Sequence, residues 1–376
     1  MNHPGRSADA ARVRQCEEKS KLSKCNIHRY LSILNDINIY FTLYVNFHMM
    51  DLKGTQMTNL LDPSILFFMF GIFAGLVKSN LEIPPPISRF LSLYLLMALG
   101  LKGGFALNQS GFTPEIAVSL GLAIGLAIVI PIIGYRVLRI KLMPLEAAAV
   151  AATYGSISAV TFITTTQTLD LSSTPYGGHM AAAMALMESP AIVIAIVLAN
   201  KIRQHHGGET QGNTSLSKIL HESFTDGGQL LLLGSLVIGL ISGESGHKVM
   251  APFSIDLFKG LLAFFLLDMG LLAAKNIGEL KGKPAITLLY SFVAPPIHAL
   301  VALVFCCLLQ IPLGDSILLM LLAASASYIA VPAVLRHALP EVNPALYMGM
   351  SLGITFPLNI IIGIPIYSWI AKFFIQ

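Results

Sequence analysis

Residues 144–168 read PLEAAAVAATYGSISAVTFITTTQT. An alanine-rich apolar run (Ala147–Ala152) gives way to Thr153-Tyr-Gly-Ser-Ile-Ser158. Apolar character resumes over Ala159–Ile163 before a run of threonines. The stretch is long enough for a bilayer, which takes about 20 helical residues. Its middle, however, is small and rich in hydroxyls, and Gly155 weakens the helix there. Backbone polar groups without partners are costly in hydrocarbon, so a broken spanning helix is tolerated only where it lines a cavity. A second stretch has the same form: apolar Ile317–Ala324, then Ser325-Ala-Ser-Tyr328, then Ile329-Ala-Val-Pro332. There Pro332 does the weakening.

The rest of the chain fits this reading. The protein has 376 residues, 55% of them hydrophobic and 12% charged, where a soluble domain carries about 25% charged residues. Apolar runs of spanning length follow one another from Pro63 onward. The spacing predicts ten spans, at 63–79, 85–107, 113–138, 143–168, 178–202, 227–243, 251–274, 284–309, 313–338 and 344–371. The fold class is therefore an all-α integral membrane protein with discontinuous fourth and ninth helices. Prolines 63, 84, 114, 144, 252, 284 and 344 lie near span starts, where proline costs least. Neighbouring Cys306 and Cys307 are packing residues, and no Cys spacing suits a zinc site or a disulfide framework.

Basic residues fix the orientation. Lys78 follows the first span; Arg136, Arg139 and Lys141 the third; Lys201, Arg203 and Lys218 the fifth; Lys275, Lys281 and Lys283 the seventh; Arg336 the ninth. The even-numbered connections are nearly bare of Lys and Arg. Cytoplasmic connections carry the basic excess, so the odd-numbered connections are cytoplasmic and both ends of the ten-helix unit face outward. Residues 1–57 are basic at their start and too polar over Ile27–Met50 for a good span. They are an N-terminal extension outside the functional fold, with an amphipathic surface helix as the rival reading. Residues 204–226 are a cytoplasmic linker, whose His205 and His206 are too weak a signal for a metal site.

The two halves, 58–203 and 227–376, resemble each other. Gly71-Ile-Phe-Ala-Gly75 recurs as Gly239-Leu-Ile-Ser-Gly243, Leu99-Gly100-Leu101 as Met269-Gly270-Leu271, and Gly155–Val160 loosely as Ala324–Ile329. Five spans per half force the second half to enter from the opposite side. That is an inverted-topology repeat, common among secondary transporters. The bland alternative is that glycine and leucine are frequent enough in membrane helices to match by chance.

A helix broken in mid-membrane offers free N–H groups and a positive dipole end, which attract an anion. Ser156, Ser158, Ser325 and Ser327 add hydroxyl donors. The anion pocket is expected at Ser156, Ile157 and Ser158 of one break and Ser325, Ala326, Ser327 and Tyr328 of the other. Freed carbonyls and hydroxyls suit a hard cation such as sodium, placed at Ser158, Thr161, Ser327 and Glu188. Glu188 is an ionisable residue inside the fifth span, and such residues mark ion paths or partners. Pro190 also frees a carbonyl beside it. Asp268 and Asn359 are secondary candidates; Ala98 matches Asp268 in the first half. His298 reads as a packing residue. Small residues at the breaks have a structural explanation too, since they let helices pack closely.

The ordered set Glu82-Ile-Pro, Leu101-Lys-Gly-Gly104, Tyr154-Gly-Ser-Ile-Ser158, Glu188-Ser-Pro-Ala191, Ala323-Ala-Ser-Ala-Ser327 and Pro340-Glu-Val-Asn-Pro344 resembles the sodium-dependent bicarbonate transporters of cyanobacteria and their bacterial relatives. The resemblance runs from about residue 60 to the end. It implies five-plus-five inverted repeats, sodium-coupled bicarbonate uptake, a homotrimer in the plasma (inner) membrane, and control by a PII-like protein on the cytoplasmic face. The family's anion pocket would fall on Ser156, Ser158, Ser325 and Ser327, and its sodium carboxylate on Glu188. The chain departs from the cyanobacterial pattern in several places. It has Glu188 and Tyr328 where that pattern has Asp, Val331 where it has Gly, and Val160 where it has a third hydroxyl.

The function expected is sodium-coupled symport of a small anion, bicarbonate first, by alternating access, with no other cofactor. A proton-coupled or different small-anion carrier is the alternative within transport, and a passive anion channel the alternative outside it. An enzyme is disfavoured because no HExxH motif occurs and no nucleophile is paired with a base in one broken helix. Nucleic-acid binding rests only on the basic start.

Overall fold

The computed structural model describes residues 62–111, 113–205, 227–278 and 284–375. The expected extension 1–57 and the linker beyond His205 lie outside these residues. The described residues form helices and connections, with no strand among them. The helices are α1 (Pro63–Leu76), α2 (Pro85–Ser110), α3 (Pro114–Leu138), α4 (Pro144–Gly155), α5 (Ala159–Leu171) and α6 (Met180–His205). Then follow α7 (Gly227–Ala251), α8 (Phe258–Ile277), α9 (Ala285–Leu308), α10 (Leu313–Ala324), α11 (Ala330–Ala338) and the long run α12 (Pro344–Phe374). Prolines sit in the first turn of α1, α2, α3 and α4, where the missing N–H has no helical partner to lose. At α1, Asp62 adds a side-chain cap, accepting from the Ser64 N–H at 2.8 Å.

Seven helical stretches among the described residues are long and apolar enough to cross a membrane. The sequence predicts ten, and the difference has three causes. Helices α1 and α10 are apolar but shorter than a span, and residues 227–277 form one helical stretch. That stretch turns at Gly243, whose φ of 54° breaks the helix between the two expected spans. Asn108 stands against Gly243, so a side chain there would meet both a left-handed backbone and a neighbour.

Two glycine crossings organise one group of helices. Helix α1 packs along α8, and α7 packs along α2. A Cβ on Gly270 would come within 2.8 Å of Ile72 N and 3.0 Å of Gly71 Cα. A Cβ on Gly104 would come within 2.7 Å of Leu240 N and 2.8 Å of Gly239 Cα. Only glycine lets backbones approach this closely, and dispersion attraction across the close approach holds each pair together. Gly104 meets Gly239 as Gly270 meets Gly71, while the sequence match sets Gly270 against Gly100. Gly100 and Gly104 are one turn apart on the same helix face, so sequence spacing could not choose between them.

The remaining helices form a second group. Helix α3 packs on α4 and α6, α9 on α10, and α10 on α5 and the end of α12, while α11 lies against α6 and α4. Prolines interrupt the interiors of α3 (Pro131), α6 (Pro190) and α9 (Pro295, Pro296). Helix α12 widens into π-turns over Gly349–Thr355 and Asn359–Gly363, a distortion frequent at functional sites.

Candidate functional site

Helix α4 ends at Gly155 and α5 starts at Ala159; α10 ends at Ala324 and α11 starts at Ala330. Both expected interruptions are therefore breaks in the helix. They also cross. The Ser158 N–H donates to Ser325 Oγ at 3.0 Å, and the Ser327 N–H donates to the Thr153 carbonyl at 2.8 Å. Each break thus gives its second serine's N–H to the other strand of the crossing. The surroundings are buried: Ser156, Ser158, Ser325, Ser327 and Tyr328 all lie inside, as do Ile157 and Ala326.

The hydroxyls divide their work unevenly. Ser158 is the N-cap of α5, and its Oγ accepts from Thr161 N at 3.2 Å and Thr161 Oγ1 at 3.0 Å. Ser327 Oγ accepts from Val331 N at 3.2 Å, in the first turn of α11. Ser325 Oγ donates to the Leu322 carbonyl at 2.8 Å. Ser158 therefore accepts as the cap of α5, and Ser327 accepts from the first turn of α11, in line with the oxygen-ligand half of the roles expected of them. Ser156 Oγ has no hydrogen-bond partner among the described residues. A buried hydroxyl left this way is costly unless something else meets it.

Asn359 joins a third element to the crossing. It is fully buried at the start of the second π-turn, and its Nδ2 donates to the Ala324 carbonyl, the last of α10, at 2.8 Å. Its Oδ1 has no partner among the described residues. The Tyr328 ring packs edge-on against Phe356 at 5.2 Å, and Phe356 against Phe68 at 5.3 Å. Tyr154 extends the network away from the break, its hydroxyl 2.6 Å from Thr355 Oγ1, which donates to the Ser291 carbonyl at 3.0 Å. The threonine run bonds to its own helix. Thr164, Thr165 and Thr168 donate to carbonyls four residues back and Thr166 to one three back, the self-satisfied pattern of helical threonines.

The ionisable candidates sit on other helices. Glu188 is half-buried on α6 and accepts a hydrogen bond from Gln229 Nε2 at the start of α7. Asp268, buried on α8, accepts from Ser88 Oγ on α2. Sequence reasoning missed Gln229, Ser88 and the Thr153 and Leu322 carbonyls. Gln229 carried a signal, being a polar residue at the head of a leucine run; the carbonyls carried none.

Chemically, the crossing gathers the N-terminal ends of α5 and α11 and the C-terminal ends of α4 and α10. The first pair favours an anion and the second a cation. Broken helices that meet this way can hold both kinds of ion at one place. No match emerges among curated proteins. The model of the Na+-dependent bicarbonate transporter superfamily matches residues 63–372, and the chain belongs to that superfamily, a family of transporters and not of enzymes.

Proposed function

We propose that this superfamily member carries bicarbonate inward together with sodium, by alternating access, at the crossing of its two broken helices. The observation that carries this reading is the reciprocal exchange there, Ser158 N–H to Ser325 and Ser327 N–H to Thr153. Bicarbonate takes the N-terminal ends of α5 and α11, the Ser156 hydroxyl and the faces of Ile157, Ala326 and Tyr328. Sodium takes oxygen atoms from Ser158, Thr161, Ser327 and Glu188, together with the Leu186 carbonyl that Pro190 leaves without a helical donor. Sodium orders the broken segments and so favours the anion; by linkage, the anion favours sodium equally.

The reading takes the chain as ten spans in two inverted halves, 58–203 and 227–376. The spans are α1, α2, α3, α4 with α5, α6, α7, α8, α9, α10 with α11, and α12. The glycine crossings support it, because Gly71 meets Gly270 as Gly239 meets Gly104. In that register Lys102, and not Ala98, stands where Asp268 stands in the other half. The group α1, α2, α7 and α8 moves against the rest. Both ends of the unit face outward from the plasma membrane, and on the family resemblance the assembly is a homotrimer regulated by a PII-like cytoplasmic protein.

Isotope-labelled bicarbonate uptake into proteoliposomes, with and without a sodium gradient, tests the proposal. Uptake should depend on sodium and fall on the order of tenfold or more in Ser158→Ala and Glu188→Ala, as for lost direct contacts to a charged ligand. Sodium-independent uptake, or unchanged uptake in both variants, would refute it.

A further inference from the structure

A cavity of about 390 Å³ lies apart from the crossing, alongside α5. Its walls include Leu99, Lys102, Phe162, Asp170, Tyr176 and Ala181, from α2, α5, the turn after α5 and the start of α6. Phe162 is four residues beyond the capping Ser158, about 6 Å along the helix axis. Asp170 is eight residues further, at the last turn of α5 and about 12 Å away. The lining therefore reaches from the end of α5 to buried Phe162, one turn from the break.

Lys102 and Asp170 are the charged residues of its lining, and they pair at 2.6 Å. The pair is half-open, with side chains 27% and 38% exposed, and a pair so exposed is weakly held. Each partner has a second neighbour. The Lys102 ammonium faces the Phe258 ring at 5.7 Å, a cation–π contact that does not need the carboxylate. Tyr176 lies beside Asp170, and burial first and that carboxylate second push its phenol up, so it stays a neutral donor. The carboxylate sits at the rim and the lysine is rooted lower on α2, eight residues before that helix ends. Opening the pair therefore uncovers a cation inside the cavity.

We infer that this cavity is the outer vestibule of the crossing, and that Lys102 draws small hydrated anions into it by exchanging Asp170 for the incoming ion. The inference rests on the orientation given under the proposed function. The volume suits an anion with water still around it, so the vestibule selects charge and leaves recognition to the crossing. Phe162 is its floor and must move before an ion passes on.

Cysteine labelling tests this without relying on transport. Ala106 lines the cavity and lies one turn from Lys102 on the same face of α2. Ala106→Cys, made with Cys16→Ser, Cys25→Ser and Cys307→Ser in the full chain, is exposed in intact cells to two impermeant methanethiosulfonates of similar size, one bearing a sulfonate and one a trimethylammonium. Ser173→Cys at the mouth is a second labelling site if the first variant does not fold. The sulfonate reagent should react on the order of tenfold faster at low ionic strength. Lys102→Gln should abolish that preference, Lys102→Arg should keep it, and Asp170→Asn should increase it. Equal rates, a faster cationic reagent, no labelling at either site, or a preference that survives Lys102→Gln would overturn the inference. Labelling rates do not depend on what is carried, so they stand or fall apart from sodium-dependent uptake.

Discussion

The two breaks share their chemistry but not their construction. The first is short, residues 156–158 between α4 and α5. Its second half-helix begins with a serine cap that accepts two hydrogen bonds, and α5 behind it is braced by its own threonines. The second break is longer, residues 325–329, and leads into α11, which has nine residues. Its N-cap is Ile329, which makes no side-chain cap and is 52% exposed. Ser327 supplies one acceptor to Val331, and Asn359 reaches in from α12 to hold the end of α10. One break is thus stabilised by its own sequence and the other by its neighbours. A pair built this way has a fixed partner and an adaptable one, which suits the ordering by sodium proposed above.

The largest effect should come from Gly155. Its position corresponds to Ala324 at the second break, which already carries a Cβ while fully buried. A Cβ on Gly155 would lie 2.5–2.7 Å from three atoms of the Pro131 ring, and a proline ring cannot turn aside. Gly155→Ala should cost about 1–3 kcal/mol, as overpacking of a tight interior does. Ala324→Gly should cost about 1 kcal/mol or less. Thermal unfolding of the purified protein in detergent measures both, and equal losses would erase the asymmetry.

Asn359→Ala comes next. It removes the donor to the Ala324 carbonyl inside a buried core, so about 1–3 kcal/mol of stability should be lost, with loss of uptake. An unchanged melting temperature would mean that the second break does not lean on α12.

The caps sharpen the contrast. Ser158→Ala should destabilise by about 1 kcal/mol, the usual cost of losing an N-cap. Ser327→Ala, which gives up one acceptor bond at 3.2 Å, should cost about half that. The reverse order in melting temperature would show that the second break is the self-sufficient one. The smallest change belongs to Thr165→Val. It gives up one bond to a carbonyl of its own helix, 2.7 Å from Thr161 O, and should shift stability by less than about 1 kcal/mol. It should also leave uptake intact, whereas a clear fall in uptake would bring the threonine run into the site.

Both breaks were legible in the sequence because glycine, serine and proline interrupt an apolar run for reasons that belong to the chain itself. The roles within them were less so. A serine hydroxyl can give or accept, and the choice at Ser158 and Ser327 depends on which N–H lies over it once the half-helix forms. The second break also runs one residue past the expected Tyr328, to Ile329, because α11 starts only where Ser327 can reach Val331. Register is ambiguous wherever small residues repeat every turn, as at Gly100 and Gly104. Pairings between distant segments left almost no trace: Glu188 with Gln229, Asp268 with Ser88, and Lys102 with Asp170. Each partner is an ordinary polar residue until the fold puts it beside the other.

Sodium binding to the purified protein, titrated calorimetrically with and without bicarbonate, addresses the shared site at the crossing. Bicarbonate should tighten sodium binding, sodium should tighten bicarbonate binding by the same factor, and Ser158→Ala should weaken that coupling. Two affinities that ignore each other, in the parent as in the variant, would contradict a crossing that holds both ions.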